Sequence, residues 1–335
     1  MKNIYKSWSL LFLGIVLFLA ACGDSSSSTS ETKEKEGTST EKVEKVTIGV
    51  TQIVEHPSLN AAFEGFQKAI EDAGIQADYK IENAQNDNSA NTTIANNLVS
   101  SGVDLIFANS TPSAQAVAGL TKDIPIVFTS VTDAVSAELV QSMESPGANV
   151  TGTVDTQPDA IPSTIAFLKD ELGAKNVGMV FNAGEQNSRA QVDAVKEQMT
   201  AVGLNVVEAS VSTSAEVKQA TESLIGKVDS LYIITDNTVV SALESVIAVA
   251  NDNKLPMMVG EFDSVKRGGL GAYGFEYFDI GYEAGEMAVK ILNGESTPAE
   301  LPVQYPQNLR FVLNQSTVDA LGIEVKEEWN SEFIE

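Results

Sequence analysis

Two stretches of the chain repeat one design. "VDLIFANSTPSA" (Val103 to Ala114) and "VDSLYIITDNTVVSA" (Val228 to Ala242) each run from an apolar, strand-like segment into small polar residues, then into a helical pattern. A parallel α/β sheet puts such a junction at the carboxyl end of a strand. Building it twice predicts two related α/β domains whose polar ends can share one space.

The flanking sequence extends the pattern in both directions. "VTIGVTQ" (Val46 to Gln52) reads as a buried strand. The helix after it carries Leu59, Phe63, Phe66 and Ile70 on one face and stops at Gly74. "ADYKIE", "VDLIFA" and "IPIVFT" are further strands, separated by the helical segments "ANTTIANNLVSSG" and "SAQAVAGL". The second half repeats the order, with strands "NVGMVF", "LNVVEASV", "VDSLYIIT" and "LPMMVG" alternating with helices. The last of these is one continuous helix over "VVSALESVIAVANDN". Alternation of this kind predicts parallel sheets with helices on both faces. The repeat is far too long for a solenoid unit. One crossover between the domains falls near Asp155. After the strand "LGAYGF" comes a helix over Phe278 to Gly294, then a strand "NLRFVLN" and a helix near "STVDALG".

Ligands of open α/β sheets bind beyond the carboxyl ends of the strands. The loops there are polar in both halves: Gln52 to Pro57, Asn109 to Thr111 and Thr129-Ser130 in the first, Asn182 to Ser188, Asp236 to Thr238 and Gly260-Glu261 in the second. If the domains face each other, these loops converge on one cleft. The candidate ligand-binding residues are Gln52, Asn109, Ser110, Thr111, Thr129, Glu185, Asn187, Ser188, Asp236, Asn237 and Glu261. An amino acid's carboxylate needs N–H and hydroxyl donors, which helix starts at Ser110-Thr111 or Asn187-Ser188 can supply. Its ammonium needs a carboxylate, with Asp236 the first choice and Glu185 and Glu261 in reserve. The same residues are also ordinary helix caps or solvated acids when no ligand is involved. Phe128, Phe181, Tyr273 and Phe275 are candidates for an apolar wall, and His56 reads as a surface residue.

Composition removes other classes of function. The 335 residues carry a net charge of -25, from 21 Lys and Arg against 46 Asp and Glu, which excludes the clustered positive charge that nucleic acid requires. One cysteine, Cys22, and one histidine, His56, leave no internal disulfide and no zinc site of Cys and His. No cofactor is expected. Gly269, Gly271 and Gly274 have dinucleotide-motif spacing, but they precede a strand rather than open a helix, so they read as a turn. No G-x-S-x-G elbow is present, and the expectation is a binding protein and not an enzyme.

The N-terminus is an address. Lys2 and Lys6 precede the apolar run Leu10 to Leu19, which is too short for a comfortable membrane span, and small residues follow up to Cys22. Residues 1–21 read as a signal peptide. The residues before Cys22 resemble the lipobox of bacterial lipoproteins, which implies cleavage there and lipid on Cys22. Residues 22–45, rich in Ser, Thr, Glu and Lys, read as a disordered tether that holds the folded body outside the cytoplasm at the membrane surface.

The layout from Val46 to Gly322 resembles the type I periplasmic binding proteins. The segments "GVTQIVEHPSLNAAFEGF", "FANSTPSAQA", "NAGEQNS" and "ITDNT" are similar to the tryptophan/tyrosine-binding proteins of ABC transporters. This likeness implies two Rossmann-like doubly wound domains joined by a three-segment hinge. It places 46–154 with 276–308 in one lobe and 155–275 with 309–335 in the other. It further implies a monomeric receptor that closes on an aromatic amino acid such as tryptophan, tyrosine or phenylalanine, with an ABC permease and its ATPase as partners. A sensory receptor of the same fold and an extracytoplasmic hydrolase are the alternative readings.

Overall fold

The structure is a computed structural model and describes residues 45–334. The signal segment, Cys22 and nearly all of the tether lie outside the described residues.

Five parallel strands form the first sheet: β1 (Val46–Gln52), β2 (Ala77–Asn83), β3 (Leu105–Asn109), β4 (Ile126–Val131) and β5 (Val150–Val154), in the order β2-β1-β3-β4-β5. Strands β3, β4 and β5 are buried at every position, β5 even though it ends the strand order, because α10 packs on it. The burial of β3 and β4 fits their largely apolar sequences, while the edge strand β2 is mostly exposed and more polar. Helices α1 (Pro57–Asp72), α2 (Asn88–Ser100) and α3 (Thr111–Ala118) cross between them.

The chain then runs through α4 (Ala160–Ala166) and a π-helical turn into the second sheet. Its strands are β6 (Asn176–Asn182), β7 (Asn205–Val211), β8 (Ser230–Ile233), β9 (Met257–Val259) and β10 (Gly271–Gly274), followed by β11 (Arg310–Asn314) and β12 (Glu332–Ile334). The order β7-β6-β8-β9-β10 repeats that of the first sheet, and β11 adds antiparallel to β10. Helices α5 (Gln186–Ala201), α6 (Val217–Glu222), α7 (Asn237–Ser241), α8 (Leu243–Asp252), α9 (Phe262–Arg267), α10 (Tyr277–Leu292) and α11 (Gln315–Leu321) complete the chain.

Two details differ from the sequence reading. The helix expected over Val239 to Asn253 breaks at Ala242, whose φ of -119° and ψ of 25° are not helical. A short helix, α9, occupies the segment after Gly260, where periodicity is too brief to register.

Helix α10 packs on α1 and on β4 and β5, so it belongs with the first sheet although it follows β10 in sequence. The two helices touch backbone to backbone. A Cβ on Gly281 would lie 1.8 Å from the Ala62 carbonyl oxygen, and one on Gly65 would lie 2.0 Å from that of Phe278. Only glycine permits this approach, which locks α10 in place beyond the crossover that leads into it.

Candidate functional site between the lobes

The carboxyl ends of the two sheets face each other. Direct contacts cross the gap: Asn86 Nδ2 donates to Thr238 Oγ1 at 2.7 Å, and Gln186 Nε2 donates to Ser136 Oγ at 3.2 Å. Asn237 reaches His56 from the opposite lobe. Between the lobes lies a small cavity of about 10 Å³, lined by His56, Leu59 and Ser130 on one side and by Thr235, Asn237, Val240 and Glu261 on the other. Asp155 and Tyr277, one from each of two crossover segments, close its floor. Small-molecule pockets usually span ~300–1,000 Å³ and a single water needs ~10–15 Å³, so the cleft is shut down to about the room of one water.

The first lobe brings uncharged groups held in unusual backbone geometry. Ser110 has φ 114° and ψ 158°, a conformation that other residues leave to glycine. Ser130 has φ 56°, and the β4–β5 register shifts between Phe128 and Val131, a bulge that re-aims the strand end. The Ser130 hydroxyl is buried without a hydrogen-bond partner. His56 caps α1, its Nδ1 accepting from the Leu59 N–H at 3.4 Å. Burial and the charge of Arg267 lower its pKa to about 3, so the ring is neutral. It is 8% exposed, which corrects the surface placement expected of it.

The second lobe brings acids at helix starts, of which Asp236 and Glu261 cap their helices with the side chain. Asp236 accepts from the N–H groups of Asn182 at 2.6 Å and Val239 at 2.8 Å. Glu261 accepts from Asp263 N–H at 2.6 Å, from Ser264 N–H at 2.9 Å and from the Ser264 hydroxyl. Glu185, at the start of α5, accepts from Thr238 Oγ1 at 2.7 Å and Asn237 Nδ2 at 2.6 Å. Burial pushes Asp236 and Glu261 above the usual carboxylate range, and the charge of Glu185 adds to the rise at Asp236.

Of the residues singled out from sequence, Asn237 and Glu261 line the cavity. Glu185 lines a neighbouring groove with Asn86 and Asn182. Gln52 and Asn109 bind each other, Asn109 Nδ2 donating to Gln52 Oε1 at 3.0 Å and to the Leu59 carbonyl at 2.7 Å, which braces the start of α1. Thr129 Oγ1 pairs with Thr153 Oγ1 inside the first sheet. Ser110 Oγ accepts from Ser113 N–H, Thr111 Oγ1 accepts from Thr132 N–H, Asn187 Nδ2 donates to Ser188 Oγ, and Ser188 stands beside Asp236. Phe128, Phe181 and Tyr273 lie in the lobe cores, and Phe275 stacks on Tyr277. The apolar part of the cavity wall is instead Leu59, Val240 and the Tyr277 ring. Sequence reasoning noted Asp155 only as a crossover and left Tyr277 out; Asp155 directly follows β5 and Tyr277 opens α10 soon after β10, so both read as connections between the lobes and not as strand-end loops. Among the described residues no group of His, Cys, Asp and Glu is placed to hold a metal ion.

Comparison with known proteins agrees with this geometry. Residues 47–332 match the family model described as ABC transporter substrate binding protein. The tyrosine-binding protein of Clostridioides difficile is 41% identical over 98% of this chain and 96% of its own. A Streptococcus pneumonia ABC domain solved in complex with L-Trp superposes with a TM-score of 0.81 at 30% identity, covering 87% of this chain and 100% of that one. A ligand-free, open structure of a Clostridium difficile substrate binding protein with adhesive properties gives 0.65 at 43% identity, covering 87% and 99%. The two lobes have the type I periplasmic binding protein fold. The chain belongs to the ABC transporter substrate-binding protein family, whose members bind solutes and are not enzymes.

Proposed function

We propose that the protein is the extracytoplasmic, lipid-anchored receptor of an ABC importer and that it captures an aromatic amino acid, tyrosine or tryptophan, between its lobes. The observation that carries this reading is the interlobe cavity, to which both lobes and two crossovers contribute side chains. The chain superposes better on the L-Trp complex than on the ligand-free, open structure, despite lower identity to the former. That supports a closed lobe arrangement, the form such a receptor adopts around its ligand. Opening the lobes enlarges the cavity to admit an aromatic side chain.

The polarity of the two lobes suits a zwitterion. The carboxylate faces the neutral first lobe, where α1 begins, and the ammonium faces a buried carboxylate. Asn237 and Glu261 contact or frame the ligand, while Gln52, Asn109, Ser110, Thr111, Thr129, Glu185, Asn187, Ser188 and Asp236 hold the walls in shape. Lipid on Cys22 keeps the receptor at the membrane as a monomer, beside a permease and its ATPase, by likeness to the family.

Thermal melting against a panel of amino acids, sugars and nucleosides tests this. A ligand at 100 times its Kd raises stability by about 2.7 kcal/mol. Tyrosine, tryptophan or phenylalanine should raise the melting temperature and be recovered unchanged. A shift by sugars alone, or chemical conversion of the ligand, would overturn the proposal.

A further inference from the structure

We infer that Asp155 is the group that holds the ligand's ammonium, so that the amine is read at the hinge and not by either lobe. This rests on the amino acid reading above. Asp155 lies in the first crossover and is 7% exposed. Its Oδ2 accepts from the Tyr277 hydroxyl, in the second crossover, at 2.7 Å. Its own N–H donates to the Val131 carbonyl at 3.0 Å, and that of the preceding Val154 donates to Gln304, beside the third crossover, at 2.9 Å. The carboxyl is thus positioned by the segments that must bend when the lobes move.

The other oxygen, Oδ1, is buried and has no hydrogen-bond partner among the described residues, although the side chain lines the cavity. The Thr132 and Thr235 hydroxyls stand close enough to hold down the pKa of Asp155, but neither bonds Oδ1 with hydrogen-bond geometry, and that of Thr235 donates to Gln191 Oε1 at 2.9 Å. The neighbouring acids are engaged at both oxygens: Asp236 by two backbone N–H groups, Glu261 by Asp263 and Ser264, Glu185 by Thr238 and Asn237. Asp155 alone of the four has an unpartnered carboxyl oxygen, and Ser130 Oγ, also unpartnered and 6% exposed, lines the same cavity. No Lys or Arg lines it. A buried carboxylate with an open oxygen and no cation is complementary to an ammonium that donates hydrogen bonds and supplies the missing charge.

The test compares L-tyrosine with 3-(4-hydroxyphenyl)propionate, which keeps the carboxylate and ring but lacks the amine, by calorimetry on the full chain. Wild type should favour tyrosine at least tenfold. Asp155→Asn, which keeps the shape and the Tyr277 bond, should lose at least tenfold in tyrosine affinity while binding the deaminated compound nearly as well as wild type, so that the preference collapses. Tyr277→Phe should weaken the preference by a smaller factor. An Asp155→Asn protein that keeps the wild-type preference overturns the inference and leaves the amino acid reading standing. Wild type binding neither compound, nor any amino acid, removes both.

Discussion

The two lobes share a strand order but differ at their tips. In the first lobe these strand ends are uncharged and strained: Gln85 and Asn86 after β2, Ser110 after β3 and Ser130 near the end of β4 all have positive φ. In the second lobe the corresponding caps, Glu185, Asp236 and Glu261, have ordinary extended φ and carry acid groups. One duplicated architecture has been specialised in two ways, one side by backbone geometry and the other by charge. The space between them is bounded by shaped backbone on one side and by acids on the other.

The largest expected effect that separates the lobes is in pH dependence. His56 of the first lobe has its pKa lowered from 6.5 to about 3 by burial and the charge of Arg267. The unfolded chain therefore takes up the proton first, and stability falls as pH drops below 6.5, by up to ~5 kcal/mol when pH 3 is reached. His56→Asn, which can still cap α1, should flatten that acid limb in urea titrations. An unchanged slope would show that His56 is not held neutral.

Asp155, at the floor between the lobes, runs the other way. Burial raises its pKa from 3.8 to about 6, against the opposing hydrogen bond from Tyr277. Below pH 3.8 both states are protonated and there is no penalty. Between 3.8 and 6 the unfolded chain ionises first and stability is lost, reaching a cost of ~3 kcal/mol above pH 6. Asp155→Asn should thus stabilise the ligand-free protein at pH 8 and leave it nearly unchanged at pH 3. Glu261, His56 and Tyr277 line the same cavity and are the groups whose titration could blur the profile. Equal stability of wild type and variant at pH 8 would mean the carboxyl is already compensated.

The smallest effect contrasts the two kinds of cap. Ser110→Gly should relieve strain at φ 114° and raise stability by ~1 kcal/mol, since a Ser-to-Gly cap change itself costs only ~0.3 kcal/mol. The equivalent change in the second lobe, Asp236→Gly, removes the acceptor of two backbone bonds and should lower stability. If both changes destabilise, the strain at Ser110 is not real and the contrast between the lobes fails.

Much of this was legible before the structure. The strand Val46–Gln52 was bounded correctly from sequence, because a buried parallel strand is a continuous apolar run between helix signals. The duplication showed through as a repeated order of elements. The polar junctions were located, but not which hydroxyls would satisfy their own loops and which would face the cavity: Ser110 and Ser130 look alike in sequence and differ in their partners. The Asp155–Tyr277 bond joins residues 122 positions apart through two crossovers, and no local pattern encodes it. The setting of His56 includes the charge of Arg267 and a hydrogen bond with Asn237, both from the other lobe, which a single polar loop cannot disclose.

The central claim is closure of the two lobes on an amino acid. Ser89, on α2 of the first lobe, and Ser212, just after β7 of the second, are both exposed, and Ser212 borders the same intervening groove as Asn88, the neighbour of Ser89. Spin labels on cysteines at these two positions, in a Cys22→Ser background, give the distance across the groove by pulsed electron resonance. Saturating L-tyrosine or L-tryptophan should shorten and narrow that distance distribution. Tight binding of either amino acid with the distribution unmoved would contradict the account.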